Sequence, residues 1–382
     1  IIRQHDYRLG RNDSSINTAW SDMIGLKQLS DTLLNEASSL AQLRDALNAF
    51  TQRCSDVGGI LPDRSFNAWA GDALLKNGVA ISPAAAAHCV NDTQRSVVFI
   101  RAVYAAIKAA QARFAQGPVE ILYAGCGPFA TLLLPLLGRF EAGELTVHLL
   151  DIHQRSLDSV DLLISDFGLQ AHHISCSQGD ACDYQHPTHP HVIIAETMQK
   201  SLEQEPQFAV TANLAPQLHP QGIFIPQQIE VDLCLAKLNE ETAAVKRGDT
   251  LDSDALIAAG QRHRLATALC LIPAQAATLQ RQASQNSAGL LELNPMHLTM
   301  PATADLNDFE PVLFTRVQAF EQHQLLDYDS EITLPLRCTE LTPLRAGQHF
   351  TLSFQLGNYP KFAITPMDGG DDSVDSRAPL TP

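Results

Sequence analysis

The stretch Val119-Glu-Ile-Leu-Tyr-Ala-Gly-Cys-Gly-Pro-Phe-Ala130 begins as an apolar run and breaks at two glycines, with the apolar segment Thr131 to Leu137 directly behind it. It predicts a buried strand, a glycine turn and a helix. Gly125 and Gly127 carry no Cβ, so the backbone can turn sharply and approach a ligand, and the amino end of a following helix would offer unpaired N–H groups. A second apolar run, Leu145 to Leu150, ends in Asp151, an acceptor placed where a ribose hydroxyl pair needs one. Strand, glycine turn, helix, strand and acid form a βαβ nucleotide unit. The same turn fits the Gly-x-Gly-x-x-Gly/Ala pattern of dinucleotide oxidoreductases, and a tight turn without a ligand is the plainer alternative.

Working outward, Ser177-Gln178-Gly179-Asp180-Ala181 leads into the apolar strand His191 to Ala195 and an acidic loop from Glu196. An acid in such a loop can hold an adenine amino group. Taken in order, the three motifs resemble the class I S-adenosylmethionine (SAM) methyltransferases. The resemblance narrows to the protein arginine methyltransferases through Phe66-Asn67-Ala68-Trp69-Ala70, Asp92-Thr93-Gln94-Arg95 and Leu218-His219-Pro220-Gln221-Gly222-Ile223-Phe224-Ile225-Pro226. Glu196 and Glu205, nine positions apart (205 minus 196), match the spacing of that family's double-glutamate loop. These matches run from about residue 60 to 235.

The resemblance implies a fold and a set of roles. The fold is α/β: a seven-stranded Rossmann-like SAM domain with a helical amino-terminal region, then a β-rich, barrel-like domain carrying a helical insertion. Gly125, Cys126 and Gly127 would form the cofactor turn, with Phe66 and Trp69 joining the cofactor residues from the leading segment. Arg95 would fork onto the carboxylate of SAM, Asp151 would hold the ribose, and Asp180 with Ala181 would border the adenine. Taken singly, Arg95 could be an exposed helix residue and Asp180 a turn residue.

Glu196 and Glu205 would carry the chemistry. Methyl transfer is an in-line displacement, so the protein must mainly align a lone pair and exclude water. A guanidinium is a poor nucleophile, and two carboxylates on its other nitrogens would fix the reacting nitrogen and stabilise the developing charge. The plainer alternative makes Glu203 and Glu205 the acidic start of a helix after Ser201. The sequence departs from the family on the acceptor side: it has no Thr-His-Trp segment, with His323 the nearest histidine, and it has His191 for an acid and Thr197 for a tryptophan. A small guanidine or amine is therefore as good an acceptor as peptide arginine. A natural-product methyltransferase acting on an amine, hydroxyl or carboxylate, and a silent SAM-fold partner subunit, stay open.

Composition bounds the rest. The chain has 382 residues, 45% hydrophobic, enough for two or three cores. Its formal net charge of −16 and lack of a dense basic run argue against nucleic acid and suit a cationic acceptor. Eight scattered cysteines without a Cys-x-x-Cys pair read as reduced thiols, suggesting the cytoplasm. No apolar run reaches the ~20 residues that span a membrane. The histidines at 172, 173, 186, 189 and 191 lack an acidic or thiol partner at fixed spacing, so no metal is expected.

Seams divide the chain into a helical region 1–60, a SAM domain 61–225, a β-rich domain 226–366 with an insertion 237–287, and a loose polar tail 367–382. Leu26, Leu29, Leu33, Ala37, Leu40, Leu43 and Leu47 predict an amphipathic helical region, and 85–115 a second helical stretch delivering Arg95. Ile229 to Leu235, Val312 to Phe320, Glu331 to Leu336 and Phe350 to Leu356 read as antiparallel strands. In arginine methyltransferases a helical arm in the β domain mediates dimerisation, so the insertion implies a homodimer.

Overall fold

The computed structural model describes residues 25–65, 70–286, 288–302 and 306–367. Phe66 and Trp69 lie outside these residues, as does the expected tail beyond Met367. The leading leucine pattern forms two helices, α1 (Leu26–Leu34) and α2 (Leu40–Gly58). They separate at residues 35–39 because Ser39 starts a new helix, its side chain accepting from Gln42 N while Gln42 returns a bond to Ser39 N. Leu26, Leu29, Leu33, Leu43 and Leu47 are buried, whereas Ala37 and Leu40, at the break, are exposed.

Strands β1 (Ala73–Leu75) and β2 (Gly78–Ala80) form a small antiparallel hairpin, followed by α3 (Pro83–His88) and the long α4 (Thr93–Arg113). Asp92 caps α4 by accepting from Arg95 N. Further along α4, Arg101 donates to the carbonyls of Leu33 (2.8 Å) and Asn35 (2.9 Å), capping the end of α1 and tying it to α4.

Next come β3 (Val119–Ala124), a one-turn α5 (Leu134–Leu137), β4 (Leu145–Asp151), α6 (Gln154–Asp166), β5 (His173–Gln178), β6 (Val192–Ala195), α7 (Gln207–Leu214) and β7 (Ile223–Ile225). The five strands make one parallel sheet in the order β5-β4-β3-β6-β7. Both faces are covered: Ile121 and Tyr123 of β3 join one apolar cluster, Leu122 and Ala124 another. Five strands, where seven were expected, are found among the described residues. After β7 the chain turns at Pro226 and enters an antiparallel sheet instead.

Register places the site. Ala124 lies opposite Leu150 on one side and Ala195 on the other, so Gly125, Asp151 and Glu196 emerge side by side at the carboxyl edge. Asp151 in turn faces Gln178, which delivers Gly179 and Asp180 to the same edge. The strand order reverses between β3 and β6, and ligands of open α/β sheets bind in the crevice at that switch point.

The remainder comprises β8 (Gln228–Ala236), α8 (Leu238–Lys246), α9 (Ser253–Ala258), β9 (Arg262–Leu271), α10 (Pro273–Gln282), β10 (Ser284–Gln285), β11 (Leu291–Thr299), β12 (Glu310–Phe320), β13 (His323–Leu325), β14 (Leu336–Arg337), β15 (His349–Gln355) and β16 (Lys361–Pro366). They build two antiparallel sheets, β13-β12-β8-β9 with β14 on β12, and β10-β11-β15-β16. Two expectations need correction. The insertion 237–287 is not helical throughout: β9 pairs with β8 over its length, because ladder bonds and cross-strand packing outweigh the helix preference of its Ala and Leu residues. Residues 331–333 form a 3-10 turn capped by Ser330, and Pro335, which cannot donate to a ladder, leaves only Leu336–Arg337 as strand.

Candidate active site

Among the sequence-selected residues, Arg95, Gly125, Cys126, Gly127, Asp151, Asp180, Ala181, Glu196 and Glu205 all line a single cavity at the carboxyl edge of the parallel sheet. The glycine turn forms its floor. Gly125 (φ +68°) and Gly127 (φ +64°) adopt left-handed backbone, and a Cβ added to Gly127 would meet only the Ala86 methyl, at 3.6 Å. Gly125 N and Cys126 N donate to Leu150 O, and Gly127 N donates to the Asp151 carboxylate (2.8 Å). The expected helix from Thr131 is a single turn from Leu134 instead. Pro135 has no N–H to bond the carbonyl of residue 131 and its ring would clash there, so it fits only the first turn of a helix.

Asp151 is held at both oxygens, the second accepting from His153 N (2.9 Å). Burial pushes its carboxyl above the usual range, and the two backbone N–H groups pull the other way. Each oxygen keeps a further lone pair. Asp180 accepts from Cys182 N at 2.9 Å and stays on the cavity wall beside Ala181. The cavity thiols are inert: burial pushes Cys89 up to about 11 and Cys126 well above its ordinary value, so both remain protonated and poorly nucleophilic.

At the other end an Arg95 guanidinium nitrogen donates to one oxygen of Glu196, with side-chain exposures of 13% and 6%. Helix α4 aims Arg95 across the carboxyl edge at Glu196, the residue that follows β6. Burial alone would lower the Arg95 value, but the Glu196 carboxylate raises it, so the guanidinium is firmly charged. The second oxygen of Glu196, Oε1, is buried without a hydrogen-bond partner. Glu205 is 8% exposed, and burial, then the nearby Glu196 charge, pushes it up to about 8. Arg95 and a bond from the Gln199 amide oppose that rise.

The loop joining the two glutamates is strained and pinned. Ser201, Leu202 and Gln204 all have positive φ (55–64°), which costs non-glycine residues about 1–3 kcal/mol each and persists only where surroundings enforce it. Ser201 N donates to Thr315 Oγ1 of β12 (2.8 Å), Gln204 N to Pro360 O (2.8 Å), and Val79 N of the hairpin to Gln204 O (2.7 Å). Gly78 lets the hairpin press on the loop: a Cβ there would stand 2.7 Å from Pro206 N. Glu205 is thus fixed by the β domain and the hairpin together, not by a helix start.

Sequence reasoning passed over several wall residues. Leu75, Ala80 and Ile81 come from the hairpin, which Asn77-Gly78 between apolar residues could have announced. His153 lines the cavity and bonds Ile81 O through Nε2 (3.0 Å). Tyr123, on β3, is held neutral by burial. His323 is not on the wall; it lies in β13, within electrostatic reach of Arg101 and Glu36.

No family model matches the chain, and no curated protein matches it. Among solved structures it is similar to a Trypanosoma brucei PRMT1 enzyme-prozyme heterotetrameric complex with AdoHcy, at 14% identity over 74% of this chain and 92% of that chain, TM-score 0.42. It is also similar to Arabidopsis thaliana protein arginine methyltransferase 10 in an open conformation, at 14% identity over 70% of this chain and 86% of that chain, TM-score 0.40.

Proposed function

We propose that the chain is a SAM-dependent N-methyltransferase acting on a guanidino, arginine-like nitrogen of a small molecule or protein. The observation that carries the acceptor half is the buried, unpartnered Oε1 of Glu196, a residue of the cavity wall, with a second carboxylate of that wall, Glu205, whose proton affinity burial and then the Glu196 charge raise. An orphaned acceptor of this kind costs about 1–3 kcal/mol, which a cationic N–H donor would offset.

The residues present suit the cofactor. Gly127 leaves its wall open to a close approach, Asp151 keeps lone pairs for ribose hydroxyls, and Asp180 with Ala181 would border the adenine. Arg95 has five N–H donors and spends one on Glu196, leaving others for the amino-acid carboxylate. When bound, SAM supplies a methyl group on a positively charged sulfur. The protein's own part is to hold the guanidino group by its other nitrogens with Glu196 Oε1 and Glu205, leaving the reacting nitrogen free, and to keep water out. Glu205, pushed up to about 8 by burial, can take up the proton the acceptor loses when it starts ionised, the form that a cationic acceptor beside it favours. The proposal includes a homodimer built through residues 237–287.

Mass spectrometry of L-arginine, guanidine and simple amines incubated with SAM and the protein tests the reading. A methyl increment is expected, lost by on the order of 100-fold or more in Glu196→Gln, the cost of removing one preorganised charge partner. SAM binding without transfer to any acceptor would assign the chain to a silent partner subunit.

A further inference from the structure

Glu196 is bracketed by a single side chain that the function above does not use. Gln207, at the start of α7, is fully buried. Its Oε1 accepts from Thr197 N (2.8 Å) and from Thr197 Oγ1 (3.3 Å); its Nε2 donates to Ala195 O (2.9 Å) and to Thr211 Oγ1 (3.1 Å). Both amide hydrogens and both lone pairs are therefore used. Three of the four bonds go to the residues immediately before and after Glu196.

Thr197 carries the connection further. A Cβ built on Gly125 would stand 2.5 Å from Thr197 Cγ2, so the threonine methyl occupies the space that this glycine leaves open. A stack thus runs from the glycine turn through Thr197 to Gln207, and Glu196 is held at its side. Glu196 itself is anchored at one oxygen only, so its backbone must supply the rest of its orientation.

We propose that Gln207 and Thr197 form a spacer that sets the distance between the glycine turn and Glu196, which makes Gln207 a positioning residue for the transfer; the positioning role rests on the function proposed above. A neutral amide is the side chain this task needs. Ionised glutamate could not donate to Ala195 O, and methionine could serve neither end, leaving the Thr197 N–H and Ala195 C=O buried without partners. Misplacing Glu196 by about 1 Å is enough to cost on the order of 100-fold in rate.

Two readouts on the full chain separate the spacer from the function. The first is amide hydrogen exchange at Thr197, which needs no ligand. Gln207→Met is expected to raise it by at least about tenfold, while Thr211→Val, which removes the one partner outside residues 195–197, leaves it unchanged. Equal exchange in wild type and Gln207→Met overturns the spacer. The second uses SAM with L-arginine, guanidine and butylamine. Gln207→Met is expected to keep the SAM Kd within about twofold and the acceptor KM unchanged while kcat falls on the order of 100-fold. A parallel loss of SAM affinity and KM would mark a merely structural residue and overturn the positioning role. Wild-type protein that transfers to none of the three, with the exchange result intact, counts against the function and not the spacer. Should Gln207→Met fail to fold, Thr197→Ser keeps every hydrogen bond and removes only the methyl against Gly125; a kcat unchanged from wild type there also overturns the proposal.

Discussion

Two buried arginines, each between two carboxylates, sit in the two halves of this molecule and are built to different ends. In the β-rich half, Arg262 is fully buried and donates to both oxygens of Glu241 (3.2 and 2.7 Å), to Asp327 and to Ser253 Oγ (2.9 Å). Its guanidinium lies 3.8 Å over the Phe314 ring, and Tyr328 donates to Glu241 at 2.7 Å. That cluster also leaves one carboxylate oxygen, Asp327 Oδ1, buried without a partner, but none of its residues lines the cavity. Arg95, by contrast, bonds one oxygen of one carboxylate, leaves Glu196 Oε1 without a partner, and faces a cavity that Glu205 also lines. The lesson is that an arginine between carboxylates is no signature by itself; unspent bonding capacity toward a cavity separates a site from a clip.

The largest effect that would sharpen this contrast is on stability. Arg262→Met leaves Glu241 and Asp327 buried without their cation, and thermal unfolding should register a loss of about 3–5 kcal/mol. A change below about 1 kcal/mol would mean the network is not the clip that joins α8 and α9 to the sheet.

A smaller, pH-dependent effect belongs to the open cluster. Glu205 is raised in the folded protein from its ordinary 4.5 to about 8, so between those values the folded chain binds more protons than the unfolded one. Stability should therefore be highest at the acid end of that window and fall as pH rises through it, levelling off above. Glu205→Gln should flatten the slope of melting temperature against pH. An undiminished slope in that variant would break the assignment of this proton uptake to buried Glu205.

The smallest effect is the control. Arg64 and Glu331 make a two-point ion pair whose side chains are 63% and 52% exposed. Arg64→Ala should shift stability by less than about 1 kcal/mol, and the shift should shrink further in high salt. A larger, salt-insensitive loss would show that exposure is a poor guide to which arginines matter here.

The parts of the site legible in the sequence are those fixed by local backbone rules. A strand into Gly125-Cys126-Gly127, an acid closing the next strand and an acidic loop after Ala195 follow from residue types and spacing, and parallel register then brings them level. One local signal, Pro135, was passed over, and the rest of what escaped was decided over distance. Pro135 limited the helix behind the turn to one turn, and Ala130, at φ +42°, had to close the turn. Strand β9 took residues whose own preference is helical because β8 was available to pair with. The Arg95–Glu196 bond joins residues 101 positions apart, and nothing in either local segment announces the other. Gln207 is the clearest case: among Pro206, Phe208 and Ala209 it reads as an ordinary polar helix residue, and only the fold turns its amide toward the two peptides flanking Glu196.

The measurement that bears most directly on the whole account is calorimetric titration of the full chain with SAM, beside Asp151→Asn and Glu196→Gln. One-to-one binding is expected in wild type, retained within a few-fold in Glu196→Gln and weakened by about tenfold or more in Asp151→Asn, where the charged acceptor proposed for the ribose hydroxyls is lost. Absence of binding in wild type, or affinity indifferent to Asp151, would contradict it.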